Sequence, residues 1–278
     1  MPITRFAPSP TGLLHLGHAY SAWLAYETAR KTNSRFIVRI ENIDPGRCKP
    51  EYETAILEDL AWLGLAWDTP VRRQSEHMDD YKNAIDSLTE RNLIYPCFCS
   101  RKDIADEIAR SGVAPHGPDG PPYPGICRKI SDSERKERIA EGTPHALRLN
   151  MKRAMEYAGP LAWHDDKGKK VPAHPQIFGD VTLARKETPT SYHLAVAVDD
   201  HIQNVGLVVR GEDLFHSTHI HRLLQALLGF NVPQYFHHNL LKDESGRRYS
   251  KRDKSVTLRE LREKGTTPGE IRRKIGIL

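Results

Sequence analysis

No run of apolar residues in this 278-residue chain approaches the roughly 20 that a membrane-crossing helix needs. The N-terminus lacks the positive-then-apolar pattern of a secretory leader. Cysteine is scarce, with four in the whole chain, too few to staple a protein of this size. Internal repeats are absent, and the nearest thing to low complexity is a Pro- and Gly-rich stretch at Pro115–Pro124. These absences argue against a membrane helix and a disulfide scaffold, and a soluble cytoplasmic protein is expected. Charge is plentiful but uneven. The net is +5, and residues 242–278 hold twelve Lys and Arg against six Asp and Glu, so the rest is close to neutral. A basic end suits a phosphate-bearing partner, although a charge run alone more often marks a solvated helical face. With 38% hydrophobic residues, the chain can bury a substantial core as one large domain, or one domain with a small insert.

What is present is concentrated at the front. Ile3 to Ala7 reads as a short buried strand, and Pro8, Pro10 and Gly12 break it into a tight loop. From Leu16 the apolar residues Ala19, Tyr20, Trp23 and Leu24 follow at helical spacing. A strand-to-helix junction of this kind is where open α/β sheets bind ligands. The helix N-terminus offers N–H groups to a phosphate. Gly17 lets a flat ring approach the backbone, and His15 and His18 share one face of the first turn. Two ordinary histidines in a helix cap are the plain alternative.

Arg35 to Ile40 is a second buried strand, ending in Glu41-Asn42-Ile43-Asp44-Pro45. Glu41 can hold an ammonium group there, whereas Asp44 equally closes a turn. Residues 50–64 and 79–91 read as helices with core faces. Ala146 to Met151 and Gly179 to Arg185 read as strands. Ser191 to Asp200 reads as a buried strand ending in two acids, and Val205 to Val209 as the next, ending at Arg210. Tyr192 and Arg210 thus reach the same crevice, and Arg210 can fork onto a carboxylate. Ile220, Leu223, Leu224, Leu227 and Leu228 make a helical stripe ended by Gly229. His216, His219 and His221 at its start raise a metal site. No cysteine or acid has matching spacing, so a polar helix start is preferred.

Cys97-x-Cys99 places two thiols together, and Cys127 returns after the Pro/Gly loop. Zinc wants four ligands. His116 and Tyr123 are the local candidates for the fourth, and general zinc chemistry favours His116. Buried thiols without metal are the alternative, and Cys48 reads as a free thiol.

His15-Leu16-Gly17-His18 resembles the HIGH signature of class I aminoacyl-tRNA synthetases, and Arg248-Tyr249-Ser250-Lys251-Arg252 resembles their KMSKS loop. Arg5-Phe-Ala-Pro-Ser-Pro-Thr-Gly together with Arg39-Ile-Glu-Asn-Ile-Asp-Pro looks like the glutamyl/glutaminyl branch. Cys-x-Cys…Tyr-x3-Cys resembles the zinc insert of glutamyl-queuosine tRNA(Asp) synthetases, which implies Tyr123 as the fourth ligand beside Cys97, Cys99 and Cys127. The implied fold is α/β: a Rossmann-like class I catalytic domain over 1–94 and 190–252, a zinc-binding acceptor-type insert over 95–189, and a short basic helical segment over 253–278.

The resemblance implies L-glutamate as substrate, contacted by Arg5, Phe6, Ala7, Pro8, Ser9, Glu41, Tyr192 and Arg210. It implies ATP with Mg²⁺ at His15, Gly17, His18, Ser250 and Lys251, with His15, His18 and Lys251 catalytic. Arg248 departs from the family, which has Lys there, so its role is in doubt. The chain stops 26 residues after Arg252, shorter than full glutamyl-tRNA synthetases. That shortness matches the queuosine enzymes, implying transfer of glutamate to queuosine of tRNA(Asp) by a monomer. A minimal synthetase charging the tRNA 3′ end, a small-molecule glutamyl ligase and a non-catalytic tRNA-binding paralogue are the competing expectations.

Overall fold

The computed structural model describes residues 3–110, 117–241 and 256–277. The chain begins with β1 (Ile3–Phe6), α1 (Leu16–Lys31), β2 (Arg35–Ile40), α2 (Pro50–Trp62), β3 (Asp68–Arg73) and α3 (Met78–Glu90). A middle stretch follows with β4 (Ile94–Cys97), α4 (Arg101–Arg110), α5 (Asp132–Ala140), β5 (Ala146–Leu149), α6 (Met151–Ala158), β6 (Ala162–His164), β7 (Lys170–Pro172) and β8 (Thr182–Ala184). The chain then gives α7 (Tyr192–Ile202), β9 (Val205–Gly211), α8 (Ser217–Leu228), β10 (Gln234–His238), α9 (Leu258–Glu263) and α10 (Pro268–Lys274).

Five strands form one parallel sheet in the order β10-β9-β1-β2-β3. The middle stretch builds its own antiparallel sheet, β4-β5-β8, and a β6-β7 hairpin. Period-2 alternation divides the residues of the central strands between two faces. Phe6, Phe36, Val38 and Ile40 join Trp23, Ile56, Leu60, Leu258 and Ile271 in one core. Ile37, Val208 and Tyr235 pack with Trp163 in another. Helices α3, α6, α7 and α8 share a third core with β5 and β8. Gly229 ends α8 with φ near +69°, a left-handed conformation that favours glycine. Among the described residues no helix is long and apolar enough to cross a membrane.

One expected element is of a different type. Ser191–Asp200 is not a strand; Tyr192–Ile202 is helix α7. Its run from Leu194 to Val198 is buried throughout, and an element that is apolar all round carries no period to separate helix from strand. The two acids at its end therefore diverge around a helix. Asp200 takes two parallel bonds from Arg5, at 3.1 and 3.2 Å, and lies 2.8 Å from an Arg39 nitrogen. Asp199 accepts from Arg72 at 2.8 Å, Gln74 at 2.8 Å and Tyr81 at 3.0 Å. Arg39 itself is fully buried on β2 and also donates to Glu41 at 3.2 Å and to Gln203 at 2.9 Å. Burial works against its charge, but Asp200, Asp199 and Glu41 more than reverse this and hold it protonated.

The C-terminal helices close onto the front of the chain. Leu258 N–H donates to Leu14 C=O at 2.8 Å, and Thr257 bridges to His15. Thr257 with Glu260, and Thr267 with Glu270, form capping boxes that start α9 and α10. Part of the basic run is paired internally: Arg259 and Arg262 reach Glu58, Arg262 also reaches Asp59, and Arg272 reaches Glu27.

Removing the shared cation of a buried cluster leaves its acids uncompensated. Arg39→Met is expected to lower unfolding stability by about 3–5 kcal/mol, read from urea denaturation. A loss below about 1 kcal/mol, the scale of an exposed pair, would show that the cluster does not hold the sheet to α7.

Candidate active site

A cavity of about 570 Å³ opens at the carboxyl ends of β1 and β9. Its wall brings together Arg5, Phe6, Ala7, Pro8, Ser9, His15, Gly17, His18, Glu41, Tyr192 and Arg210. Ser250 and Lys251, with Arg248, lie outside the described residues. A second cavity of about 90 Å³ shares Ser9, Glu41 and Tyr192 with the first and runs past Arg47, Arg185 and Thr190.

The two histidines of the first loop cap α1 reciprocally. His15 Nδ1 accepts from Gly17 N–H at 3.1 Å, and His18 Nδ1 accepts from His15 N–H at 3.2 Å. Since both Nδ1 atoms are acceptors, each neutral ring carries its proton on Nε2. The rings lie 3.8 Å apart between centroids. The arrangement is the capping box of a helix start with imidazoles in place of hydroxyl and carboxylate. The geometry gives the plain reading of these histidines as a helix cap, and the same bonds leave each Nε2 as the ring nitrogen able to donate.

The cations of the cavity differ in how they are satisfied. Arg5 is forked onto Asp200. Arg210 has neutral acceptors instead: Thr218 at 2.7 Å, His221 at 3.2 Å and His237 at 3.5 Å. Burial holds both rings neutral, with His221 well below the usual histidine range and His237 down to about 3. Among the described residues no carboxylate pairs with Arg210, although its exposure is only 4%. A buried cation without a counter-ion is costly, so this corner of the cavity favours an anionic ligand. Burial raises the Tyr192 hydroxyl, which also feels Arg210 and Glu41. Glu41 is raised too, chiefly by burial, with Arg39 and Arg5 pulling the other way.

Other residues line or support the cavity. Ser21 and His238 lie on the wall and bond to each other at 3.0 Å. Asp213 and Leu214 line it as well. Arg39, Asp199 and Asp200 support it from beneath, and acids ending an apolar run were the clue. Among the described residues the histidines after β9 do not gather into a metal-type cluster. His219 accepts from His174 N–H and packs on Trp163, while His221 turns to Arg210.

A metal-type cluster exists in the middle stretch. The sulfurs of Cys97, Cys99 and Cys127 lie within 4.8 Å of one another. A tetrahedral zinc with sulfur at about 2.3 Å separates its sulfurs by about 3.8 Å, so the three thiols fit one ion. Tyr123 lies beside them: its hydroxyl is 3.4 Å from Cys99 Sγ and accepts from Cys127 N–H at 2.8 Å. Burial pushes the Cys99 thiol up to about 12, an effect that a dication reverses. His116 lies outside the described residues.

A carboxyl whose folded pKa is raised costs stability while ionised. The cost is complete above the folded value and vanishes as pH falls below the unfolded one. Glu41→Gln is therefore expected to raise the melting temperature at pH 8, with the gap over wild type closing in acid. A lower melting temperature for the variant at pH 8 would mean that Arg39 and Arg5 outweigh burial at this carboxyl.

Comparison with known proteins agrees with this geometry. A family model described as tRNA synthetases class I (E and Q), catalytic domain, matches residues 3–278. The chain is similar to the Glutamyl-Q tRNA(Asp) synthetase of Rhodobacter capsulatus, at 48% identity over 284 aligned positions covering 99% of this chain and 100% of that protein. It is 37% identical to the Glutamate--tRNA ligase of Aquifex aeolicus, over 95% of this chain and 54% of that one. Among solved structures, the glutamate tRNA ligase of Elizabethkingia meningosepticum, in complex with its amino acid, superposes with a TM-score of 0.76 at 30% identity. The match covers 91% of this chain and 52% of that ligase. The parallel sheet, the paired histidines at its first turn and these matches together place the chain in the class I tRNA synthetase family of the glutamate and glutamine type, as a catalytic domain.

Proposed function

We propose that the chain activates L-glutamate with ATP and transfers the glutamyl group to queuosine in tRNA(Asp). Membership of the family makes it an aminoacyl-adenylate-forming enzyme. The observation that carries the choice of glutamate is Arg210, buried in the cavity with neutral acceptors and no carboxylate partner among the described residues. The side-chain carboxylate of glutamate supplies that partner, with Tyr192 beside it, and Glu41 takes the α-ammonium. Arg5 and the backbone through Phe6, Ala7, Pro8 and Ser9 enclose the amino acid.

In the first step the α-carboxylate attacks the α-phosphorus of ATP, and pyrophosphate leaves. The Nε2–H groups of His15 and His18 and the start of α1 meet the charge that builds on the phosphates, with Gly17 giving close backbone approach. Lys251 and Ser250 add to this from the second signature segment. Class I synthetases use ATP with Mg²⁺, which screens the phosphates. In the second step a hydroxyl of the queuosine ring attacks the adenylate carbonyl, and AMP leaves. The smaller cavity past Arg47 and Arg185, open to Glu41 and Tyr192, suits entry of the acceptor. Queuosine as acceptor rests on the higher identity to the Rhodobacter protein than to the Aquifex ligase.

We further propose that Cys97, Cys99, Tyr123 and Cys127 hold one structural zinc in an insert spanning 95–189, between catalytic halves at 1–94 and 190–252. A closed site of this type contributes folding energy and takes no part in the chemistry.

With labelled glutamate and ATP, transfer is expected to tRNA(Asp) carrying queuosine and not to the same tRNA without it. Transfer to tRNA(Glu) instead would make the chain a minimal synthetase. Elemental analysis is expected to find about one zinc per chain, the stoichiometry of a closed four-ligand site, and none after Cys97→Ser. Unchanged zinc in that variant would remove the cysteine cluster as the site.

A further inference from the structure

We propose that His221, His193 and Asp119 form a hydrogen-bonded relay that fixes the guanidinium of Arg210 and so sets the discrimination of glutamate from glutamine, a role that rests on Arg210 meeting the substrate's side-chain carboxylate. The residues come from four places: β9, α8, α7 and the turn at 117–120. Their contacts run in series. Arg210 lies 3.2 Å from His221 Nδ1, His221 Nε2 lies 3.3 Å from His193 Nδ1, and His193 Nε2 lies 3.5 Å from Asp119 Oδ2.

The direction of every bond in the series follows from the first. A guanidinium only donates, so His221 Nδ1 accepts. His221 is buried and neutral, so its proton sits on Nε2 and is donated to His193 Nδ1. The proton of His193 then sits on its Nε2 and points to the Asp119 carboxylate. One tautomer for each ring satisfies the whole chain, from a residue 1% exposed to a carboxylate whose side chain is 66% exposed. The hydrogen bond from His193 is the first reason Asp119 is held below the usual carboxylate range.

The placement of a neutral ring against Arg210 has a chemical consequence. A carboxylate at position 221 would pair with Arg210 and compete with the ligand. An apolar residue would remove the acceptor of one guanidinium nitrogen and leave the fork held only at Thr218 and His237. A neutral acceptor, itself anchored at its far nitrogen, orients the fork without discharging it. The same two rings also brace Tyr192, with centroids 5.5 Å away for His193 and 5.7 Å for His221. Asp119 sits in a turn closed by reciprocal Gly117–Gly120 bonds at 3.0 and 3.1 Å, four residues before Tyr123. His221, His193 and Asp119 are thus positioning residues, and the relay ties the specificity corner of the cavity to the cysteine-bearing stretch.

The test is ATP–pyrophosphate exchange, with glutamate and with glutamine, on folded variants. His221→Leu is expected to raise the KM for glutamate by about tenfold or more, the scale of one lost bond to a charged group. It should narrow the glutamate-to-glutamine ratio and leave the KM for ATP within about twofold. His221→Asn, whose Oδ1 can accept where Nδ1 did, should recover most of the loss. Asp119→Asn should shift the glutamate KM in the same direction by less. An equal rise in both KM values for His221→Leu, or no rescue by His221→Asn, would mean packing alone and overturn the relay. Arg210→Met separates the two levels. If it abolishes selectivity while His221→Leu does not change it, the relay fails and the role of Arg210 stands. If Arg210→Met leaves glutamate KM unchanged, both fail.

Discussion

The guanidinium of Arg39 lies completely buried between the parallel sheet and α7, with Asp200 and Glu41 bonded to it and Asp199 at 3.7 Å. None of these groups is stable in such a place alone, since each ion pays a desolvation cost of several kcal/mol. Together they lock three elements. β2 supplies Arg39 and Glu41, α7 supplies the two aspartates, and β1 joins through Arg5 on Asp200. The same atoms therefore set the fold and the floor of the cavity. Arg5 and Glu41 point where they do because Asp200 and Arg39 hold them.

Against that balanced cluster, Arg210 is set apart. Its acceptors are a hydroxyl and two imidazoles kept neutral by burial. Among the described residues the cavity thus has one cation paired with a carboxylate, Arg5, and one without such a partner, Arg210. Burial raises Glu41 nearby, so the ionised carboxylate also gains from an incoming cation. An amino acid with a negative side chain and a positive ammonium meets both needs at once, which ties the electrostatics of the fold to the proposed choice of glutamate.

The C-terminal helices belong to the same design. Leu258 bonds the backbone of Leu14, one residue before the first signature histidine, and buries its side chain in the core beside it. Arg262 reaches Asp59, a fully buried carboxylate pushed up to about 6 by burial. Several basic residues that suggested a polyanionic partner thus pair with α1 and α2 instead. The charge excess of the region was legible in composition, but its division between internal pairs and open surface depends on which helix faces which.

Local patterns determined a good deal by themselves. The strand-loop-helix at the front, the strand at Arg35–Ile40, the helices after it and the Gly229 cap follow from short-range periodicity and capping chemistry, which act within a few residues and need no partner. The signature residues His15, Gly17 and His18 were readable for the same reason, as was the Cys-x-Cys pair. Tertiary structure decided the rest. Whether Leu194–Val198 was strand or helix turned on what surrounds it, because a run buried on every side has no period. The pairing of Asp199 and Asp200 with Arg72, Arg39 and Arg5 spans more than a hundred residues, and His221 gained its place against Arg210 only when α8 packed behind β9. Such contacts depend on distance in space, and a linear pattern does not encode which distant charge a buried side chain will meet.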